Sequence, residues 1–201
     1  KMKSDCSDLR VTDSGGTPLS FEIESGTCNT ATTVIWVKIP SLPSGNQLVS
    51  VYYGNPSASD GQSAASVWSN GYVSVYHMRE VGASTLIDSA GRNNLTQTGT
   101  CTKSTSGPYL AGRAFLYDTA SCYYSKTSPT GLVSGGAAVT ASAWVQRRSD
   151  YTPATWGNIY RYGTGVLYSD GGSRGMYMNG QGGMVGMTGY YGDGGDGWSP
   201  G

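Results

Sequence analysis

The alternation of apolar and polar positions along the chain predicts a succession of short strands. Thr33–Ile39 sets Ile35, Val37 and Ile39 on one face and stops at Pro40. Gln47–Tyr53 groups Val49, Val51 and Tyr53 and stops at Gly54-Asn55-Pro56. The Pro40–Gly45 run between them is turn chemistry, so the two segments are expected to be antiparallel neighbours. Tyr72–Met78 alternates next, with Val73, Val75 and His77 together, and Gly112–Tyr117 and Ala120–Tyr124 flank Asp118. The longest period-two run is Ala137–Gln146, followed by Ile159–Tyr168, Gly175–Asn179 and Met184–Tyr190, each cut by glycine. Only Ser57–Trp68 avoids the β pattern, and Gly61 and its serines weaken it as a helix. Short strands with polar, glycine-rich turns predict an all-β chain of sandwich or barrel type. The break in composition at Ser57–Ser69 predicts two β-sandwich units, residues 1–66 and 67–201.

Composition explains how such a chain could fold. Glycine fills 31 of 201 positions and charged residues only 13%, about half the roughly 25% usual in globular proteins. Aliphatic residues are scarce, but 15 Tyr and 5 Trp replace them as buriable area, since a large aromatic can bury roughly 150–250 Å². Thirteen basic and thirteen acidic residues cancel, which excludes the basic footprint of a nucleic-acid binder. No apolar run approaches the roughly 20 residues of a membrane span. The ends, Lys1-Met2-Lys3 and Trp198–Gly201, read as those of a segment from a longer protein, with any signal peptide absent or already removed.

The cysteines are Cys6, Cys28, Cys101 and Cys122. With no C-x-x-C pair and one histidine they do not compose a zinc set, and an even number points to disulfides in an oxidising compartment. The chain is therefore expected to be secreted or on the cell surface. Three connectivities are open. The local one, Cys6–Cys28 and Cys101–Cys122, is favoured because it keeps each bridge within one half. Asn94-Leu95-Thr96 is a sequon, so Asn94 is a candidate glycosylation site.

Four segments occur in order: Asp5-Cys6-Ser7-Asp8-Leu9-Arg10-Val11-Thr12-Asp13, Glu24-Ser25-Gly26, Trp36-Val37-Lys38-Ile39-Pro40 and Val51-Tyr52-Tyr53-Gly54-Asn55-Pro56. Over residues 1–58 they resemble an uncharacterised domain of bacterial and archaeal surface proteins, marked by W-V-K-[VI]-P and Y-Y-G-N-P. That family's opening strands precede the stretch around Cys6, so the resemblance implies a unit without its first strands here. Val75-Tyr76-His77-Met78, Asp88–Asn94, Ala111–Phe115 and Val139–Val145 resemble a laminin-G or concanavalin-A-like jelly roll. That likeness implies a domain of the kind that binds glycans or proteins, often holds Ca²⁺ and sometimes serves as a spacer. It also implies that the last strands are missing.

Candidate chemistry is sparse. Glu22 and Glu24 lie two apart and share a strand face, and glycoside hydrolysis uses two carboxylates roughly 5–9.5 Å apart. Alternating polar residues are more often a solvated face, and the acidic strand cluster of concanavalin-A-like glycosidases has no counterpart in the second unit. His77 has no G-x-S-x-G partner and reads as a core or groove histidine. The chain is therefore expected not to be an enzyme. Calcium is the cofactor its loops suggest, with Asp88 and Asn93 in one loop and Asp193 and Asp196 in another, although Asp and Asn also build turns unaided. For a glycan, Trp156, Tyr160, Tyr162, Asn158 and Asp170 offer aromatic faces and short polar groups, against the need to bury some of these rings.

The expected function is a non-catalytic extracellular glycan-binding or adhesion module of a cell-surface protein, with a glycan or surface protein as partner. One alternative is a subunit or stalk of a filament or pilus, assembled from copies of itself by strand addition. The other is a glycoside hydrolase using Glu22 and Glu24.

Overall fold

The computed structural model describes residues 1–80, 84–100, 102–103, 115–116, 122–133, 138–144, 157–163, 173–178 and 185–188. The chain divides into two compact units, Lys1–Gly131 and Leu132–Gly201. Its described elements are strands except for one short helix, so the protein is all-β.

The first unit opens with β1 (Arg10–Thr12), β2 (Phe21–Ile23), β3 (Ile35–Val37) and β4 (Ser50–Tyr52), followed by α1 (Ala64–Val67). Phe21 and Ile23 alternate with Glu22, so β2 buries its odd positions; Val11 does the same at the centre of β1. These three pack with Cys6, Leu9 and Leu19 into one core, and Met2, Cys28, Ile35 and Val37 close around it. A disulfide joins Cys6 to Cys28 beside that core.

Pairing differs from the expectation that Thr33–Ile39 and Gln47–Tyr53 are neighbours. β3 runs antiparallel to β2, with Phe21 opposite Val37, Glu22 opposite Trp36 and Ile23 opposite Ile35. β4 runs antiparallel to β1, with Val11 opposite Val51. The deepest apolar positions lie in β1 and β2, so each later strand gains more by pairing with one of them. Residues 38–49 then form a crossover, longer than the two to five residues typical of a hairpin loop.

Two polar devices fasten this arrangement. The Asp8 carboxylate accepts the amides of Lys3 at 3.0 Å and Gly54 at 2.6 Å. Gly54 has φ +104°, where a side chain would strain the backbone, which accounts for the glycine in Y-Y-G-N-P. The Arg10 guanidinium donates to the carbonyls of Ser7, Leu9 and Ser59. Gly61 leaves it room, since a Cβ there would fall 2.7 Å from Arg10 Nη1. The second edge of β2 is covered by Gln62 and Ser63: Ile23 N donates to Gln62 Oε1, and Ser63 N donates to Phe21 O. This contact leads directly into α1, within the one segment that the sequence had set apart from the β pattern.

Beyond α1 the unit continues with β5 (Thr85–Leu86), β6 (Leu95–Thr98), β7 (Thr102–Lys103), β8 (Phe115–Leu116) and β9 (Tyr123–Ser125). β6 lies between β5 and β9, and β7 pairs with β8. Tyr72–Met78, expected as a strand, is irregular and has Met78 at φ 57°. Val75 N donates to the Asp88 carboxylate instead of a ladder carbonyl, a side-chain acceptor competing with sheet pairing.

In the second unit β10 (Gly157–Gly163), β11 (Ser173–Met178) and β12 (Val185–Thr188) form an antiparallel meander with β11 central. Residues 138–144, part of the longest alternating run, form no strand. Ala141 and Ala143 on its apolar face offer little area to bury.

Candidate functional site: an aromatic–carboxylate cluster

The β2–β3 ribbon has two faces of opposite character. Phe21, Ile23, Ile35 and Val37 face the core. The alternation therefore sends Glu22 and its cross-strand partner Trp36 to the other side, and Glu24 follows one register position on, its amide bonded to Val34 O. Side chains from residues 68–89 close over this second face.

Glu22 is held by three side chains. Its Oε2 accepts Trp68 Nε1 at 2.6 Å and lies 3.3 Å from His77 Nε2, and its Oε1 accepts Ser89 Oγ at 2.6 Å. A carboxylate only accepts, so the His77 tautomer that bonds it carries the proton on Nε2. Burial pushes the Glu22 carboxyl up, but the bonds from His77, Ser89 and Trp68 outweigh it and hold the group below its ordinary value.

Glu24 goes the other way. It is 1% exposed, accepts Trp36 Nε1 at 3.3 Å and has Arg79 Nε 3.9 Å from Oε1. Burial dominates and raises its carboxyl above the ordinary value, and the charge of Glu22 adds to the rise.

The rings form a connected group. His77 stacks on Trp36 at 5.2 Å with 19° between planes, Trp68 lies 5.3 Å from Trp36, and Tyr72 meets Trp68 edge-on at 5.1 Å. These separations are within the range of favourable aromatic pairs. Trp36 is 38% exposed and Tyr72 48% exposed, so the cluster reaches the surface through these two rings.

The Asp88 loop packs against the same region. Asp88 Oδ1 accepts the amides of Val75 and Ala90, and Oδ2 those of Arg92 and Asn93. Asn93 is buried, donates to Val73 O, Ser74 Oγ and Thr130 O, and accepts Thr130 N. Of the two side chains expected as calcium ligands, Asp88 thus accepts amides of its own loop, and Asn93 ties that loop to Val73, Ser74 and Thr130. Among the described residues no group of three or more His, Cys, Asp or Glu side chains could hold a metal.

Asn94 is exposed, and its Oδ1 accepts Asp88 N. Tyr160, Tyr162 and Asn158 lie on β10, in register with Met176, Arg174 and Tyr177 of β11. Trp156, Asp170, Asp193, Asp196 and Cys101 lie outside the described residues, while Cys122 is disulfide-bonded. The sequence reading missed Trp68, Tyr72, Arg79 and Ser89. A signal existed for Trp36, which alternates between Ile35 and Val37 and therefore had to face away from the core.

The protein is thus an all-β, disulfide-bonded chain whose first unit carries an aromatic–carboxylate cluster near its surface. Residues 5–94 match the family model described as a domain of unknown function (DUF2341). Every residue of the cluster, from Glu22 to Ser89, falls within the matched segment, which extends past residue 66. No match was found among curated proteins or among solved structures.

Proposed function

We propose that this chain is a non-catalytic extracellular module of a cell-surface protein that binds glycan, with the sugar stacking on the Trp36–Trp68–Tyr72 cluster. The carrying observation is that Trp36 and Tyr72 stay 38% and 48% exposed while the polar groups beneath them are engaged with one another. Rings fixed in this way lose little freedom when a ligand arrives, which favours binding. The same bonds argue for binding over hydrolysis: Glu22 gives its oxygens to three donors, and Glu24 is almost wholly covered. The Cys6–Cys28 bond fits an oxidising compartment. The laminin-G or concanavalin-A-like character of the later residues belongs to this reading, with Tyr160 and Tyr162 as a further platform.

A glycan array, run with the whole chain and with Trp36→Ala, tests the reading. Binding that the variant loses at least tenfold is the expected result. Absence of binding to any glycan, or binding that Trp36→Ala leaves unchanged, overturns it. Release of reducing ends from a bound glycan would replace it with hydrolysis.

A further inference from the structure

Two cations stand at the rim of the aromatic cluster. Phe21 lies opposite Val37, and Lys38 N donates to Ser20 O, so the β2–β3 ladder extends one pair past β3. By alternation Lys38 shares the face of Trp36, about 6.6 Å along the strand. Its Nζ donates to Ser69 Oγ at 2.5 Å, next to Trp68. At the other end of the same turn, Arg92 Nη1 donates to Tyr72 O at 3.0 Å. The turn that carries Trp68 and Tyr72 is therefore gripped at both ends by a positive side chain, and both bonds lie at the surface.

Neither cation is answered by a carboxylate. Their acceptors are a hydroxyl and a carbonyl, which take a hydrogen bond and leave the charge uncompensated. Among the described residues neither Lys38 nor Arg92 is in an ion pair. The acids of the region face inward instead. Glu22 is bonded to Trp68, His77 and Ser89, and the buried Glu24 lies 3.9 Å from Arg79. Asp88 is buried with both oxygens on backbone amides, and Glu80 accepts Ile87 N at Oε1 and has Oε2 buried. Acceptors are thus spent inside the fold while donors remain outside, since an ammonium has three N–H groups and a guanidinium five. The rim is positive although the chain as a whole carries no net charge.

We propose that the glycan taken by this site is anionic, its carboxylate or sulfate groups meeting Lys38 and Arg92 while a sugar ring stacks on Trp36 and Tyr72. The inference rests on the glycan reading above and narrows it to a class of ligand. A guanidinium fork matches two oxygens of a carboxylate or sulfate. A side chain already held by one bond also loses less freedom on making a second. A neutral sugar hydroxyl can accept from the same donors but answers neither charge, and a cationic sugar meets like charge at both ends of the turn.

Binding of the whole chain to polygalacturonate, its methyl ester, dextran sulfate and dextran tests the proposal. The methyl ester and dextran are the neutral counterparts of the carboxylated and sulfated polymers. The expected result is at least a tenfold preference for a charged polymer over its neutral counterpart, weakened by salt. Which charged polymer is preferred tells carboxylate from sulfate. Trp36→Ala should abolish the binding, Lys38→Gln with Arg92→Gln should abolish the preference, and Lys38→Arg should keep it. Lys38 and Arg92 also hold the turn, so the comparison of charged with neutral polymer on the parent chain, which needs no variant, keeps the test decisive if the double variant fails to fold. Equal binding of charged and neutral polymers, or a preference that a folded double variant retains, overturns the proposal; loss of that binding in Trp36→Ala then leaves the glycan reading standing. Charged-polymer binding that Trp36→Ala leaves unchanged is adsorption to charge alone and overturns both. No binding to any of the four overturns the proposal, and the glycan array then decides the reading separately.

Discussion

Trp68 Nε1 donates to Glu22 Oε2 at 2.6 Å, joining residues 46 apart in sequence. The bond does two things at once. It fixes the indole edge-on to Tyr72, and with His77 and Ser89 it keeps Glu22 ionised under partial burial. Two positions further on, Glu24 meets fewer donors and more burial, and its carboxyl is driven in the opposite direction. Neighbours on one strand face thus acquire opposite acid–base behaviour from the groups that close over them.

Glu22→Gln should destabilise the first unit by about 1–3 kcal/mol at neutral pH, because an amide cannot accept at both of its ends. The sign with pH follows from the lowered carboxyl. Its contribution is fully present above the ordinary glutamate value of 4.5 and is lost as pH falls through the folded value. Denaturant unfolding across about pH 2.5–6.5, two units either side of the ordinary value of 4.5, should show the two proteins converging on the acid side.

Glu24→Gln should act with the reverse sign. A carboxyl raised by burial favours its neutral form, so it weakens the fold as pH rises from 4.5 through its folded value. An amide is neutral throughout and still accepts from Trp36 Nε1. The variant should therefore gain stability relative to the parent as pH increases over that window, measured by the same unfolding series.

Removing the Cys6–Cys28 bridge by replacing both residues with Ala should cost about 2–4 kcal/mol, chiefly through the freer unfolded chain. The bridge closes a 22-residue separation and flanks the core, with Cys6 fully buried. Denaturant midpoints of the parent and the double variant under non-reducing conditions give the measurement.

Asp88→Asn should cost about 1–3 kcal/mol, because four backbone amides converge on the two carboxylate oxygens and an amide group can serve only part of them. Since those oxygens are already engaged, EDTA should leave the parent's thermal midpoint unchanged. A fall on chelation would show instead that a cation holds the loop.

Much of the fold was legible in the sequence for local reasons. Ile35 and Val37 alternate with Trp36, and a period of two cannot hide which face is apolar. Gly54 before Asn55-Pro56 marks a turn, and the structure places it at positive φ. The expected strand at Tyr72–Met78 failed because Asp88, distant in sequence, captures the Val75 amide. Pattern within a segment carries no trace of such a competitor.

What the amino-acid order determined by itself is the all-β character, the inward face of Ile35 and Val37 and the presence of paired cysteines, since these follow from side-chain period and chemistry along a few residues. The tertiary structure alone decided which strands pair, and that Glu22 meets Trp68, His77 and Ser89 while Glu24 meets Trp36 and Arg79. Those contacts join residues 12 to 67 positions apart. Their energies depend on burial and on converging donors, which come into being only when the chain closes on itself.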